Sequence, residues 1–408
     1  MRKSLVARGG RRMTRKTGVI LACVMAVLVL AVTCWFFSPA KENTAASTIE
    51  ACLAEFGIEP GPRLVLLPVT VNGRTLSFCV DTGAWKTVFD SSLQPELGPQ
   101  LGSSVVMTPA GQLSVPLHRC PKASVGALDL TRVQDVACHD LTQMRYASGK
   151  EFYGILGMDF LQKYAVEFDL DEGKCRLWEA APQNWSKQAN AQPLQFDQSI
   201  RPYVTVTLPG GKPEAFLIDT GANASTLRDS CFDELVEQRS LVAAGLVIGY
   251  AAAGTFHGQI GFVNELKLDG YSHRGSRLDR DPASALGIRY LSRYKVRLDL
   301  PGGNAYFAPG KRFAAPEPTA TSGMSVLQVN GEKIVSAVER GGPGALQRVQ
   351  PGDVILSVDG RDAKACDMVA LHEVLTREPG TTVAIQLRRS GHSFNANVEL
   401  QSRLPLYR

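Results

Sequence analysis

Apolar and polar positions along this chain fall into three patterns. From Gly18 to Phe37 apolar residues run almost unbroken, and about 20 such residues are what a membrane-spanning helix needs. From residue 63 to residue 308 short runs rich in Val, Leu, Ile and Thr recur between Gly, Pro and Asp turns. That pattern predicts strands. Hairpins are expected at Val105–Gly111 and Val247–Gly254, with Gly111 and Gly254 at their tips. Beyond residue 322 strand patterns flank one stretch of helical spacing, Met368–Arg377, and a strand is expected over Thr382–Arg388. Polar or Pro/Ala-rich stretches at 180–199 and 309–321 read as connections.

The strand-rich region is a duplication. Asp81-Thr82-Gly83-Ala84 follows the apolar run Leu76–Val80, and Asp219-Thr220-Gly221-Ala222 follows Ala215–Ile218, 138 positions later. Farther on, Gly154-Ile155-Leu156-Gly157 leads to Tyr164 and Asp169, as Ser284-Ala285-Leu286-Gly287 leads to Tyr294 and Asp299. A repeat of roughly a hundred residues is too long for a solenoid unit and marks a duplicated domain. In each copy a strand delivers an Asp into a tight turn that glycine is expected to complete. Two carboxylates presented this way can share one proton, so that one activates water while the other protonates a peptide carbonyl. A lone Asp-Thr-Gly is an ordinary capped turn, and it is the matched surroundings that raise the chemical reading.

These motifs resemble the pepsin and retropepsin family of aspartic proteases, in which Asp-Thr/Ser-Gly pairs with a later apolar-apolar-Gly strand. Lobe lengths are similar to those of a fused dimer of retropepsin-like units, over residues 63–180 and 200–308. The resemblance implies catalysis by Asp81 and Asp219. Loop support falls to Thr82, Gly83, Thr220, Gly221, Leu156, Gly157, Leu286 and Gly287. It makes the two hairpins substrate flaps, with Tyr250 near the second tip. Ala285 departs from the family, which has a larger apolar residue there.

Ile334–Gly360, with Pro351-Gly352-Asp353 before an apolar strand and Asp359-Gly360 after it, resembles a PDZ domain, here placed over 322–403. Such domains bind a peptide C-terminus by strand addition. Gly323, Met324, Ser325 and Val326 match the carboxylate loop, with Ser325 in place of a usual glycine. The fold class expected is all-β, a bilobal pair of retropepsin-like barrels followed by a PDZ domain, with an N-terminal transmembrane helix.

Charge sharpens the topology. The net charge is +5, yet seven basic residues precede residue 18 with no acid among them, so the rest of the chain is acidic by two. No basic face for nucleic acid is expected. A basic tail at 1–17, an apolar span at 18–38 and a linker at 41–62 place the tail inside and the remainder outside an inner membrane. A bacterial periplasm fits that placement. A cleaved signal peptide is the alternative, although its apolar core is normally shorter. Of nine cysteines, Cys120 and Cys138 flank one hairpin-like segment and are candidates for a disulfide in an oxidising compartment. No metal or cofactor motif is present. A serine peptidase lacks its Gly-x-Ser-x-Gly elbow and a Ser-His-Asp set. Expected partners are a peptide or protein substrate, a C-terminal peptide at the PDZ groove, and the membrane. The alternative is a non-catalytic peptide receptor on the same fold. With Ala84 and Ala222 unable to donate a hydroxyl to the carboxylates, activity is expected near pH 5–6.5 rather than near 2.

Overall fold

The computed structural model describes residues 51–404 apart from Pro109. The expected tail at 1–17 and span at 18–38 lie outside the described residues. Among the described residues no helix is long and apolar enough to cross a membrane. The molecule is mostly strand, in several sheets with short helices between them.

The two repeats build two sheets by the same pairings. In the first, Leu66–Val71 and Arg74–Val80 form a hairpin, and Gly154–Leu156 runs parallel to its second strand with Leu156 opposite Val80. In the second, Pro202–Leu208 pairs with Lys212–Ile218, and Ala285–Leu286 runs parallel to it with Leu286 opposite Ile218. Alternation explains this register, because Val69, Val71, Phe78 and Val80 of the first repeat and Val204, Val206, Phe216 and Ile218 of the second are all buried in the core. Ala285 fits without a larger side chain, since it is buried with 6% exposure.

A third sheet joins the repeats. Ala165–Asp169 pairs antiparallel with Tyr294–Asp299, and each is backed by its own hairpin partner. Across this seam Glu167 accepts a hydrogen bond from Arg297 at 2.6 Å, and within its own hairpin one from Arg176 at 2.5 Å. The outermost strand of the sheet, Ala54–Gly57, comes from the stretch expected to be linker. It is ordered as a strand because its Cα partners run from Leu177 to Lys174 on Lys174–Trp178.

The expected disulfide does not form, and Cys120 and Cys138 are both free thiols. Register is the reason. Leu117 faces Ala137, and the Cys120 amide bonds to Gln134 O at 3.3 Å. Cys138 therefore lies four residues from the position opposite Cys120, about 13 Å along the strand and beyond disulfide reach.

Three helices of seven residues or more matter below: α1 (Thr142–Ser148), α2 (Asp229–Glu237) and α3 (Met368–Leu375). The last belongs to a C-terminal sheet whose strand order is Met324–Val329, Glu332–Val338, Val354–Val358, Thr382–Arg389 and His392–Glu399. Its core is Val335, Ile355, Leu371, Ile385, Leu387 and Val398. The described residues belong to one compact unit.

Candidate active site

Each Asp-Thr-Gly loop is held at three points. The amide entering it bonds to the parallel strand, Asp81 N to Leu156 O at 3.1 Å and Asp219 N to Leu286 O at 3.0 Å. Within the loop, Asp81 Oδ1 accepts from Gly83 N and Ala84 N at 2.8 and 3.0 Å. Asp219 Oδ1 accepts from Gly221 N and Ala222 N at 3.0 and 2.9 Å. Behind the loop, Gly157 N bonds to Thr87 Oγ1 and Gly287 N to Ser225 Oγ. Thr87 and Ser225 close each motif in the sequence, but their support role is visible only once the two strands meet.

The threonines tie the loops to each other. Thr82 N donates to Thr220 Oγ1 at 3.1 Å, and Thr220 N donates to Thr82 Oγ1 at 3.2 Å. Each hydroxyl then donates across to the opposite strand, Thr82 to Ile218 O at 2.5 Å and Thr220 to Val80 O at 2.8 Å. Both side chains are fully buried, at 1% exposure each. Four reciprocal bonds between elements 138 residues apart fix the separation of the two carboxyls.

The glycines differ from expectation. Gly83 and Gly221 are not in the left-handed region, so no special backbone conformation demands them. Space does: a Cβ on Gly83 would stand 2.5 Å from Asp219 Oδ2, and one on Gly221 would overlap Asp81 Cγ. Each glycine is the floor on which the opposite carboxyl rests. Gly111 and Gly254 are the reverse case, with φ of 117° and 122° and open space around them. They turn the hairpins Gln100–Thr108/Gly111–Arg119 and Leu241–Ala251/Gly254–Leu268. Tyr250 near the second tip points away from a dyad role, because its hydroxyl donates to Ser336 Oγ at 2.8 Å.

Electrostatics separate two chemically identical groups. The carboxyls of Asp81 and Asp219 hydrogen-bond to each other, and burial raises the pKa of both. For Asp81 the amides of Gly83 and Ala84, then Asp219 and the charge of Arg201, act against that rise. For Asp219 the negative charge of Asp81 adds to burial. The two carboxyls therefore titrate as one pair, with a single proton shared between them over the range where one is ionised and the other is not. Arg201, itself paired with Asp197 at 2.7 Å, was not legible as a site residue from sequence. Just behind the first loop, Cys79 is a buried thiol whose pKa is pushed well up by burial and by the two acids. Among the described residues no group of three His, Cys, Asp or Glu is placed to hold a metal.

The carboxylate-loop candidates open the C-terminal sheet. Gly323 is buried with φ of 68°, and its amide is taken by Thr321 Oγ1 at 2.9 Å. Met324, Ser325 and Val326 begin the edge strand and are half-buried.

Comparison with known proteins agrees with this partition. Residues 67–160 match the family model described as aspartyl protease, which includes the first Asp-Thr-Gly and stops short of the second. Residues 320–400 match the model of the PDZ domain. No curated protein matches the chain. One similar solved structure is a photosystem II D1 C-terminal processing protease, at 20% identity and a TM-score of 0.21. That alignment covers 23% of this chain and 26% of the other, so this chain spans about a quarter of that protein's length. The chain thus carries an aspartyl-protease domain over residues 67–160 and a C-terminal PDZ domain over residues 320–400.

Proposed function

We propose that this protein is a membrane-anchored aspartic endopeptidase. In this reading two fused retropepsin-like lobes hydrolyse peptide bonds between Asp81 and Asp219, and the PDZ domain recruits or gates protein substrates. The observation that carries it is the facing, hydrogen-bonded carboxyl pair, each member supplied by its own copy of one repeat.

The chemistry needs one carboxylate and one carboxylic acid, roles this reading gives to Asp81 and Asp219. Asp81 takes a proton from a water held between the carboxyls, and the water oxygen bonds to the scissile carbonyl carbon. The proton of Asp219 passes to the carbonyl oxygen. The tetrahedral diol then collapses. One hydroxyl returns its proton to Asp219, Asp81 gives its proton to the amide nitrogen, and the C–N bond breaks. No cofactor enters. Raised carboxyl pKa values support the expected optimum at mildly acidic pH, about 5–6.5. Supporting the placement outside an inner membrane is the basic flank ahead of Gly18–Phe37; protease added to spheroplasts should digest residues 51–404, and full protection there would refute it.

The test of the activity is cleavage of a diverse peptide library by the full chain, with and without pepstatin. Asp81→Asn and Asp219→Asn should each lower kcat by at least about three orders of magnitude, roughly 4 kcal/mol of transition-state stabilisation. Circular dichroism should be unchanged. Substantial cleavage by either variant removes the dyad from the mechanism, and binding without cleavage by the wild type establishes the peptide-receptor alternative.

A further inference from the structure

The groove of the PDZ domain is already occupied by the chain itself. Its edge strand Met324–Val329 pairs on one side only, with Glu332–Val338. An edge strand ready for strand addition leaves its free side open. Here no residue of the strand is exposed, because α1 of the protease half packs against it.

The contact is specific. Gly149, which ends α1 with φ of 66°, offers its carbonyl to Gln328 Nε2 at 3.0 Å. A Cβ at Gly149 would overlap Met368 Cγ, on the first turn of α3. Gly149 therefore sits between the edge strand and α3, the two walls of the groove. Arg63 closes the same end, bonding Asp367, the N-cap of α3, at 2.8 and 2.9 Å.

The plug is wired to the dyad. On α1, Arg145 donates to the buried Asp90 at 2.7 Å and to Phe152 O at 3.1 Å. Asp90 ends the strand Val88–Asp90, which pairs with Gly154–Leu156, and Leu156 O holds the Asp81 amide. Just before α1, His139 Nε2 donates to Ala252 O at the tip of the second hairpin, at 2.8 Å. The same hairpin is pinned to the PDZ domain through Tyr250 and Ser336.

We propose that α1 and Gly149 plug the PDZ groove in the resting chain, and that an entering peptide with a free apolar C-terminus displaces them, releasing the second hairpin and raising activity. Met324 and Val326 on the edge strand and Met368 on α3 are half-buried against the PDZ core, which suits an apolar terminal side chain. This inference rests on the proposed endopeptidase reading for its activity arm alone.

The probe is a fluorescein-labelled pool of hexapeptides ending in Val, Leu, Ile, Phe or Ala with a free carboxylate, and its amidated counterpart is the control. The full chain carries Asp81→Asn so that the pool is not consumed. Added Arg63→Ala with Gln328→Ala removes the tie of Gly149 to the edge strand and the ion pair that closes that end of the groove, and should tighten binding of the free-carboxylate pool at least 10-fold by anisotropy. Without those two changes, saturating pool should speed hydrogen exchange of the Thr142–Gly149 amides at least 10-fold, a readout that needs no variant of the plug. Equal binding by the two chains, including none by either, overturns the proposal, as does binding that leaves exchange over α1 unchanged. In the active chain the pool should raise kcat/KM for an amidated substrate at least 5-fold, and an unchanged rate overturns the coupling. A chain that cleaves nothing in any state counts against the endopeptidase reading, and binding and exchange still decide the plug.

Discussion

The two repeats agree at the aspartate pair and in the strands that hold it, and differ in what packs around them. Every bond that positions Asp81 has its counterpart at Asp219, from the parallel-strand carbonyl to the paired amides and the crossed threonines. Away from the loops the repeats have diverged. The first half inserts α1 before its bracing strand and ties it to Asp90, while the second places α2 on its flank and buries His273 among Tyr290, Tyr294 and Phe313. At the matching second position of the short helix after the bracing strand, Asp159 accepts from Thr87, whereas Arg289 stands there in the second half. Two-fold symmetry is retained where two carboxyls must meet. It is abandoned where each half packs against something different, α1 against the PDZ edge strand and Arg289 within the electrostatic reach of His372 on α3.

The sharpest way to break the comparison is through the two ion pairs that anchor these flanks. Arg145→Ala should destabilise the protein by roughly 2–3 kcal/mol, because Asp90 is 1% exposed and its charge would be left to the hydrogen bonds from Ser92 and the Leu141 amide. Arg228→Ala, the matching test in the second half, should cost about 1 kcal/mol, since Arg228 is half-exposed and Glu214 keeps its bond from Ser284 Oγ. Urea denaturation of both variants checks the ranking, and equal losses would mean that burial does not set it.

Next in size is the acid sensitivity that His273 adds to the second half. Burial, aided by the charge of Arg293, lowers the His273 pKa from 6.5 to about 4. A neutral folded histidine whose unfolded form binds a proton more readily stabilises the protein above about pH 6.5, and that contribution disappears as pH falls towards 4. The loss amounts to at most about 3 kcal/mol. Melting curves at pH 7 and pH 4 should therefore diverge less for His273→Phe than for the wild type. A pH dependence identical to wild type would remove His273 as the cause.

Thr82→Val and Thr220→Val should each cost about 1–2 kcal/mol, since each leaves a buried amide and a strand carbonyl without a partner. The symmetry of their bonds predicts equal losses, and the double variant should cost less than their sum because either single change already removes the contact between the two hydroxyls at 3.4 Å. Thermal melts of the single and double variants supply the cycle.

The smallest effect is the one that separates the two aspartates. Arg201→Gln removes a positive charge that favours the Asp81 anion. The acidic limb of the kcat/KM profile should move up, by less than about one pH unit at this distance and screening. The opposite change is expected of Ala84→Ser with Ala222→Ser, whose hydroxyls would favour the anions and move the profile towards acid. A limb unmoved by Arg201→Gln would return the pair to symmetry.

Sequence by itself determined the strand-rich halves, the two acids and the C-terminal domain. Each rests on local order, namely alternation over Leu66–Val71 and Pro202–Leu208, tripeptides at fixed offsets, and a Pro-Gly-Asp turn. It misjudged Gly83 and Gly221, whose need lies in the opposite carboxyl and not in their own backbone. It also paired Cys120 with Cys138, which only register could separate. Tertiary structure alone decided that the Asp81 and Asp219 carboxyls meet, that Asp90 and Arg145 brace one loop and not the other, and that Gly149 sits between Gln328 and Met368. These depend on contacts between residues far apart in the chain, such as the 179 positions separating Gly149 from Gln328. A pattern repeating every two or four residues carries no record of such distances, because side chains acquire distant neighbours only when sheets close on one another.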